Sequence, residues 1–237
     1  PGPVLGIDEV GLGSLAGPIT VCGVVLPDDR VTIKMLEVAG ARDSKKIGEF
    51  TRETVYGILV NNHAWHHIAE MPADAYKKGN MGRLVQDLMH QVVWAAENRG
   101  PGFGTCIIDG TQDRDLPTER FRTIAKADDL SLSVACASII AKVHRDRHMC
   151  EVARAHPGYG LASNKGYGTP THIKAIKDKG IIPGVHRQEI KLVAKILNES
   201  RASSPGEVHA SSERRPLRLS RVTSISPPGG RGSGRFH

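Results

Sequence analysis

Val4-Leu5-Gly6-Ile7-Asp8-Glu9-Val10-Gly11-Leu12-Gly13 is the stretch on which the reading of this chain turns. An apolar run that ends in glycines reads as a buried strand entering a turn. Two adjacent carboxylates stand at its tip, and burying uncompensated anions there costs several kcal/mol or forces protonation. Something cationic is therefore expected beside Asp8 and Glu9. Divalent metal ions take oxygen ligands and, in pairs, serve phosphodiester chemistry, which makes them the first candidates.

Working outward, Ile19 to Leu26 gives a second strand close enough to the first to pair with it antiparallel, and Ala64 to Glu70 gives a third. Thr105-Cys106-Ile107-Ile108-Asp109-Gly110 repeats the opening logic: an apolar run, a carboxylate, a glycine. Arg122 to Lys126 completes the expected strands. Helices are expected over Thr51 to Val60, Asn80 to Asn98, Leu130 to about His156, Thr169 to Gly180 and Gln188 to Asn198, the second from apolar residues at helical spacing and the fourth from a Thr-Pro start. In α/β sheets sites gather where strand ends meet, so Asp8, Glu9 and Asp109 can converge across a hundred residues. A fourth acid would complete a two-metal shell, and Asp128 and Asp129 are both candidates.

The chain has 237 residues, 39% of them hydrophobic but only 4% aromatic, so its core must be aliphatic, which suits an α/β domain. The net charge of +7 is unevenly placed. Beyond Ser200, seven arginines stand against Glu207 and Glu213, a net +5, which leaves only +2 on the body. Overall basicity is thus weak support for a nucleic-acid site, and a local cluster is needed. Residues 201–237 are expected to be a disordered basic tail. The four cysteines lack CxxC spacing and read as reduced, buried thiols, and no stretch has the roughly 18 apolar residues of a membrane span. A cytoplasmic monomer is the expectation.

In their order along the chain, Gly6-Ile7-Asp8-Glu9-Val10-Gly11-Leu12-Gly13 with Ala16-Gly17-Pro18, Asp43-Ser44-Lys45-Lys46, Ile108-Asp109-Gly110, Lys126-Ala127-Asp128, Ala137 to Asp146 and Lys165-Gly166-Tyr167 resemble the type 2 ribonucleases H, ribonuclease HII in particular. The resemblance covers about Val4 to Arg187. It implies a ribonuclease H-like mixed β-sheet flanked by helices over 1–156, with a C-terminal helical segment at 157–200 closing over substrate. By resemblance Asp8, Glu9, Asp109 and Asp128 hold two Mg²⁺ or Mn²⁺ ions, the lysine before Ala127-Asp128 deciding for Asp128 over its neighbour. The implied activity cuts the RNA strand of RNA/DNA hybrids and duplex DNA at embedded ribonucleotides, leaving 5′-phosphate and 3′-hydroxyl ends. Gly11, Leu12, Gly13 and Tyr167 fall where the family reads the ribonucleotide junction.

The residues themselves support that chemistry. Lys45, Lys46 and Lys142 can meet phosphates, Ser138 is a further candidate for substrate contact, and a glycine turn lets backbone approach a ribose. The chain departs from the family pattern at Leu12, where arginine is usual, at Gly168, where proline is common, and at Gln188-Glu189-Ile190. The Arg145-Asp146 pair reads as forming structural salt bridges rather than as catalytic, and His144, His148, His172 and His186 as surface or capping residues rather than zinc ligands. A dinucleotide-binding loop would set pyrophosphate against two acids, and a two-lobed phosphotransferase needs more than about 200 ordered residues. The remaining competitor is a nuclease-fold protein that binds hybrids without cutting them well.

Overall fold

The computed structural model describes residues 2–41, 46–110 and 120–202, without the side chains of 200–202, and these fall in one compact unit. Lys45 and the tail from 203 onward lie outside the described residues. Five strands form one sheet in the order β3-β2-β1-β4-β5. β1 (Val4–Val10), β2 (Ile19–Val25) and β3 (Trp65–Met71) pair antiparallel, and β4 (Thr105–Asp109) and β5 (Phe121–Ile124) add to β1 in parallel. This is the mixed sheet expected from the sequence.

Period-two alternation sorts the strands between two helical layers. Leu5 and Ile7 of β1, Val21 and Val25 of β2 and Ile108 of β4 face α3 (Met81–Arg99) in one aliphatic core with Leu88, Met89 and Val92. The opposite face, with Cys22 and Val24, meets α2 (Glu49–Asn61) and the long α4 (Leu132–Ala155) through Val55, Leu59, Cys136, Ile139 and Ile140. Two glycines let the helices sit down on the sheet. A Cβ at Gly6 would strike the backbone of Ser133, and one at Gly23 would strike Val92.

A third core, with Leu15, Met149, Tyr159, Leu161, Ile176, Ile182 and Val193, fixes α5 (Leu161–Asn164), α6 (Pro170–Lys179) and α7 (Lys191–Ala202) against the far half of α4. The helices expected from periodicity are all present within a few residues. Two were not anticipated: the single-turn α5 and, before it in the chain, α1 (Arg30–Val38). Its β-branched start, Val31-Thr32-Ile33, argues against a helix locally, but Asp29 caps the backbone N–H groups of Val31 and Thr32 at 3.1 and 2.9 Å.

Candidate active site

The sheet delivers the first three acids. Asp8 and Glu9 lie at the end of β1 and Asp109 at the end of β4, one register step beyond the last parallel pair, Ile7 with Ile108. Alternation turns Asp8 toward α4 and Glu9 toward the opposite face. β5 then leads into a single 3₁₀ turn, Ala127–Asp129, entered through Lys126 in the left-handed conformation (φ 57°), and this turn carries Asp128, which is buried, ahead of α4. Asp109 ties the turn down by accepting a hydrogen bond from the Ala127 N–H at 2.8 Å. Asp129 is exposed and pairs loosely with Lys46 at 3.8 Å.

Asp8 is the electrostatic centre of the group. Burial first, and then the charges of Glu9 and Asp109, push its carboxyl from 3.8 up to about 7, against the opposing hydrogen bonds from Ser138 and from the Glu9 N–H at 2.7 Å. A carboxyl this crowded is one that a cation relieves. Among the described residues, however, no three His, Cys, Asp or Glu side chains are arranged to hold a metal ion. One oxygen of Asp8 is turned to its neighbour's N–H and one of Asp109 to Ala127. The donor chemistry nevertheless fits a hard divalent cation, since the acids brought to this sheet end offer oxygen alone.

Beside the acids stands the glycine turn, and it is held from beneath by two buried arginines. Arg145 donates to the carbonyls of Pro18, Lys165 and Ala16 and to the Ser14 hydroxyl, at 2.8 to 3.0 Å. Arg187 donates to the carbonyls of Gly17, Gly11, Leu12 and Ser14, at 2.6 to 3.3 Å. Of the structural salt bridges expected at Arg145-Asp146, one is found at Asp146 and none is seen at Arg145 among the described residues. Arg145 is wholly buried among carbonyls, and Asp146 pairs with Lys142 instead, at 2.7 Å. Gly11, at φ 95°, must be glycine on two counts, because a Cβ there would also meet the Arg145 guanidinium.

Tyr167 completes the wall. Its backbone bridges Ser14, and its half-buried ring lies 5.5 Å from the Arg145 guanidinium and 5.8 Å from Lys142 Nζ. Of the substrate candidates, Gly13 is exposed at the tip of the turn, while Leu12 is half-buried and folds onto the α3-side core. Ser138 is buried and hydrogen-bonded to Asp8, so it stands behind a carboxylate rather than on the open surface.

Sequence reasoning missed four side chains. Arg187 gave no periodic signal. His172 and His186, expected at the surface or in caps, are buried and face one another at 3.1 Å. Glu70, at the same end of the sheet on β3, accepts from Thr20 at 2.7 Å and lies 3.3 Å from His144.

The ribonuclease HII family model matches residues 5–193. The chain is similar to the ribonuclease HII of Francisella tularensis subsp. tularensis strain WY96-3418, 35% identical over 198 residues, or 83% of this chain and 99% of that one. Among solved structures it is similar to ribonuclease H2 from Pyrococcus horikoshii OT3, with a TM-score of 0.68 at 24% identity, covering 84% of this chain and 99% of the other. It is also similar to Bst-RNase HIII in complex with Mn²⁺, with a TM-score of 0.65 at 23% identity, covering 84% and 70%.

Proposed function

The chain belongs to the ribonuclease HII family, metal-dependent endoribonucleases of the ribonuclease H class, and from that premise we propose that it hydrolyses the RNA strand of RNA/DNA hybrids and cuts duplex DNA 5′ to embedded ribonucleotides. The observation that carries this reading is the meeting of a buried, charge-crowded Asp8 with Glu9 and Asp109 beside a rigidly held glycine turn. Asp8, Glu9, Asp109 and Asp128 would hold Mg²⁺ or Mn²⁺ as a two-metal site. Ions bound there would supply charge neutralisation at the phosphate and a lowered pKa for the attacking water.

The chain's own residues do the rest. Ser138 fixes Asp8, and the Ala127 N–H fixes Asp109, so the acids meet the substrate from defined positions. The turn at Gly11, Leu12 and Gly13, with Tyr167 beside it, contacts the sugar that carries the 2′-hydroxyl, the group by which a protein separates RNA from DNA. Lys142 and Lys46, and from the sequence Lys45, are proposed to meet the substrate's phosphates. In the reaction a water oxygen bonds to phosphorus as the bond to the 3′-oxygen breaks. That oxygen takes a proton, leaving a 3′-hydroxyl and a 5′-phosphate. Residues 157–200 serve as the segment that closes over substrate. A cytoplasmic monomer fits this reading, and no helix among the described residues is long and apolar enough to cross a membrane.

The test is a cleavage assay on labelled duplex DNA containing one ribonucleotide, beside a long RNA/DNA hybrid, with Mg²⁺, Mn²⁺ or EDTA. Metal-dependent cutting of both substrates is expected. Asp109→Asn should lose cleavage by about a thousandfold or more while hybrid binding stays within a few fold. Turnover unchanged in that variant would overturn the assignment, and binding without cutting by the unaltered chain would favour the non-enzymatic alternative.

A further inference from the structure

Tyr167 is held by more than its neighbours in sequence. Its carbonyl accepts from the Thr169 N–H at 2.8 Å and faces Nδ1 of His172 at 2.9 Å. His172 Nε2 lies 3.1 Å from Nε2 of His186, and His186 Nδ1 accepts from the Ile182 N–H at 2.8 Å. Both rings are buried.

These contacts leave one proton arrangement. His186 Nδ1 faces a donor, so it is bare, and the neutral ring carries its proton on Nε2. His172 Nδ1 faces a carbonyl, so it carries the proton and leaves Nε2 bare to accept from His186. Hydrogen bonds therefore run in one direction, from Ile182 N–H through both rings to the Tyr167 carbonyl. A further proton would set two donors face to face, either between the rings or against Ile182.

We propose that His172 and His186 are positioning residues that fix Tyr167 against the glycine turn through this single-direction relay, and so set recognition of the ribonucleotide sugar. The relay spans the two segments that flank the turn. Gly166 O accepts from the N–H groups of Leu15 and Ala16, while Val185 O accepts from Gly17 N–H and Arg187 N–H donates to Leu15 O. Ser14 bridges Tyr167 and Ala16 bridges His186. The rings thus tie together, from behind, the two strands of chain between which the turn is clasped.

The surroundings keep the pair neutral. Burial lowers both rings below the usual histidine range, His186 to about 4 with His172 and His156 adding to the effect. The Tyr159 ring packs 5.4 Å from His186, with Lys179 Nζ 5.8 Å from that tyrosine, and Arg145 and Lys142 stand over Tyr167 on the other side. An added proton on either ring would be buried and would face a donor already in place.

This inference rests on the proposed assignment of Tyr167 to sugar contact, and the experiments separate the two. Nitrogen-15 NMR of the histidine-labelled full chain at pH 6.5 should find one buried ring as the neutral Nδ1–H tautomer and one as the neutral Nε2–H tautomer. The His172→Asn spectrum assigns them. A doubly protonated ring, or two identical tautomers, overturns the relay even if the chain cuts nothing. His172→Phe should weaken binding of a single-ribonucleotide duplex in EDTA, and raise its KM, by about tenfold, with kcat changed by less than about threefold. His172→Asn, whose amide can still donate to Tyr167, should recover KM to within about threefold. Unchanged binding and KM in a folded His172→Phe overturn the positioning role. A wild-type chain inactive on both substrates defeats the nuclease reading, and the tautomers read by NMR still decide the relay.

Discussion

Two neighbouring parts of this site treat charge in opposite ways. At the strand tips, Asp8, Glu9 and Asp109 crowd negative charge together, and Asp8 is driven to about 7 despite two hydrogen bonds. Three residues on, the turn from Gly11 to Pro18 rests on Arg145 and Arg187, whose hydrogen bonds all go to carbonyls and one hydroxyl rather than to those acids. Had the arginines met the acids, each set would have neutralised the other. Kept apart, the acids retain their need for a cation, and the turn is shaped before any ligand arrives. Preorganised contact and unmet charge are different resources, which the proposed function assigns to recognition and to chemistry in turn.

The sharpest way to break the comparison is Asp8→Asn, which should act on activity and stability in opposite senses. Cleavage should fall by about a thousandfold or more. Without divalent metal, the folded chain should become more stable at pH 8. The sign follows from the shift. Above pH 7 Asp8 is ionised in both folded and unfolded chains, and only the folded one bears the cost of burial. Below 3.8 it is protonated in both, and the cost disappears. The cost therefore grows between pH 4 and 7 and reaches up to about 4 kcal/mol. Thermal unfolding in EDTA at pH 8 and pH 4 checks this, and a variant less stable than wild type at both would deny the crowding.

On the clamp side, Arg187→Met keeps the volume but takes a donor from four carbonyls, of which that of Gly11 still accepts from Ser14. Exchanging a buried charge for an apolar chain can be neutral when its partners vanish with it, but here the acceptors are backbone and remain. A loss of about 3 kcal/mol is expected in urea unfolding. A loss below about 1 kcal/mol would mean that water replaces the guanidinium and that the turn is not shaped by it.

Much of this was legible in the chain. The apolar runs ending in Asp8-Glu9 and Asp109, each followed by glycine, announce strands with acids at their tips, because side-chain alternation and burial are local properties. The clamp was not legible, because an arginine that bonds carbonyls more than 120 residues away leaves no periodic trace. Arg145 and Asp146 are adjacent on one helix, where neighbours in sequence point apart, and α4 turns one inward to the glycine turn and the other to Lys142. His172 and His186 are hidden for the same reason, since tautomer and burial depend on a fold that brings residues 14 apart together.

A smaller test sharpens the acid side. Ser138 holds the Asp8 carboxyl below the value that burial alone would give it. Ser138→Ala removes that bond, worth about 1 kcal/mol, and should carry the acid limb of the pH–rate profile upward by about one pH unit. A profile that does not move would place the limiting proton elsewhere.

The finest test falls on Leu12, where the two regions meet. Its carbonyl is held by Arg187 at 3.3 Å whatever its side chain, while that side chain folds onto the apolar core. Recognition through the turn can therefore be backbone-borne. Leu12→Arg gives up about 1 kcal/mol of packing and adds a cation beside a polyanion, so the salt dependence of duplex binding should steepen by about one counterion. If the new guanidinium also reaches the junction phosphate, cutting at single ribonucleotides should rise a few fold relative to long hybrids. A steeper salt slope with an unchanged substrate ratio would show that position 12 contributes charge alone and that discrimination already resides in the clamped backbone. Unchanged slope and ratio together would remove the side chain from the interface.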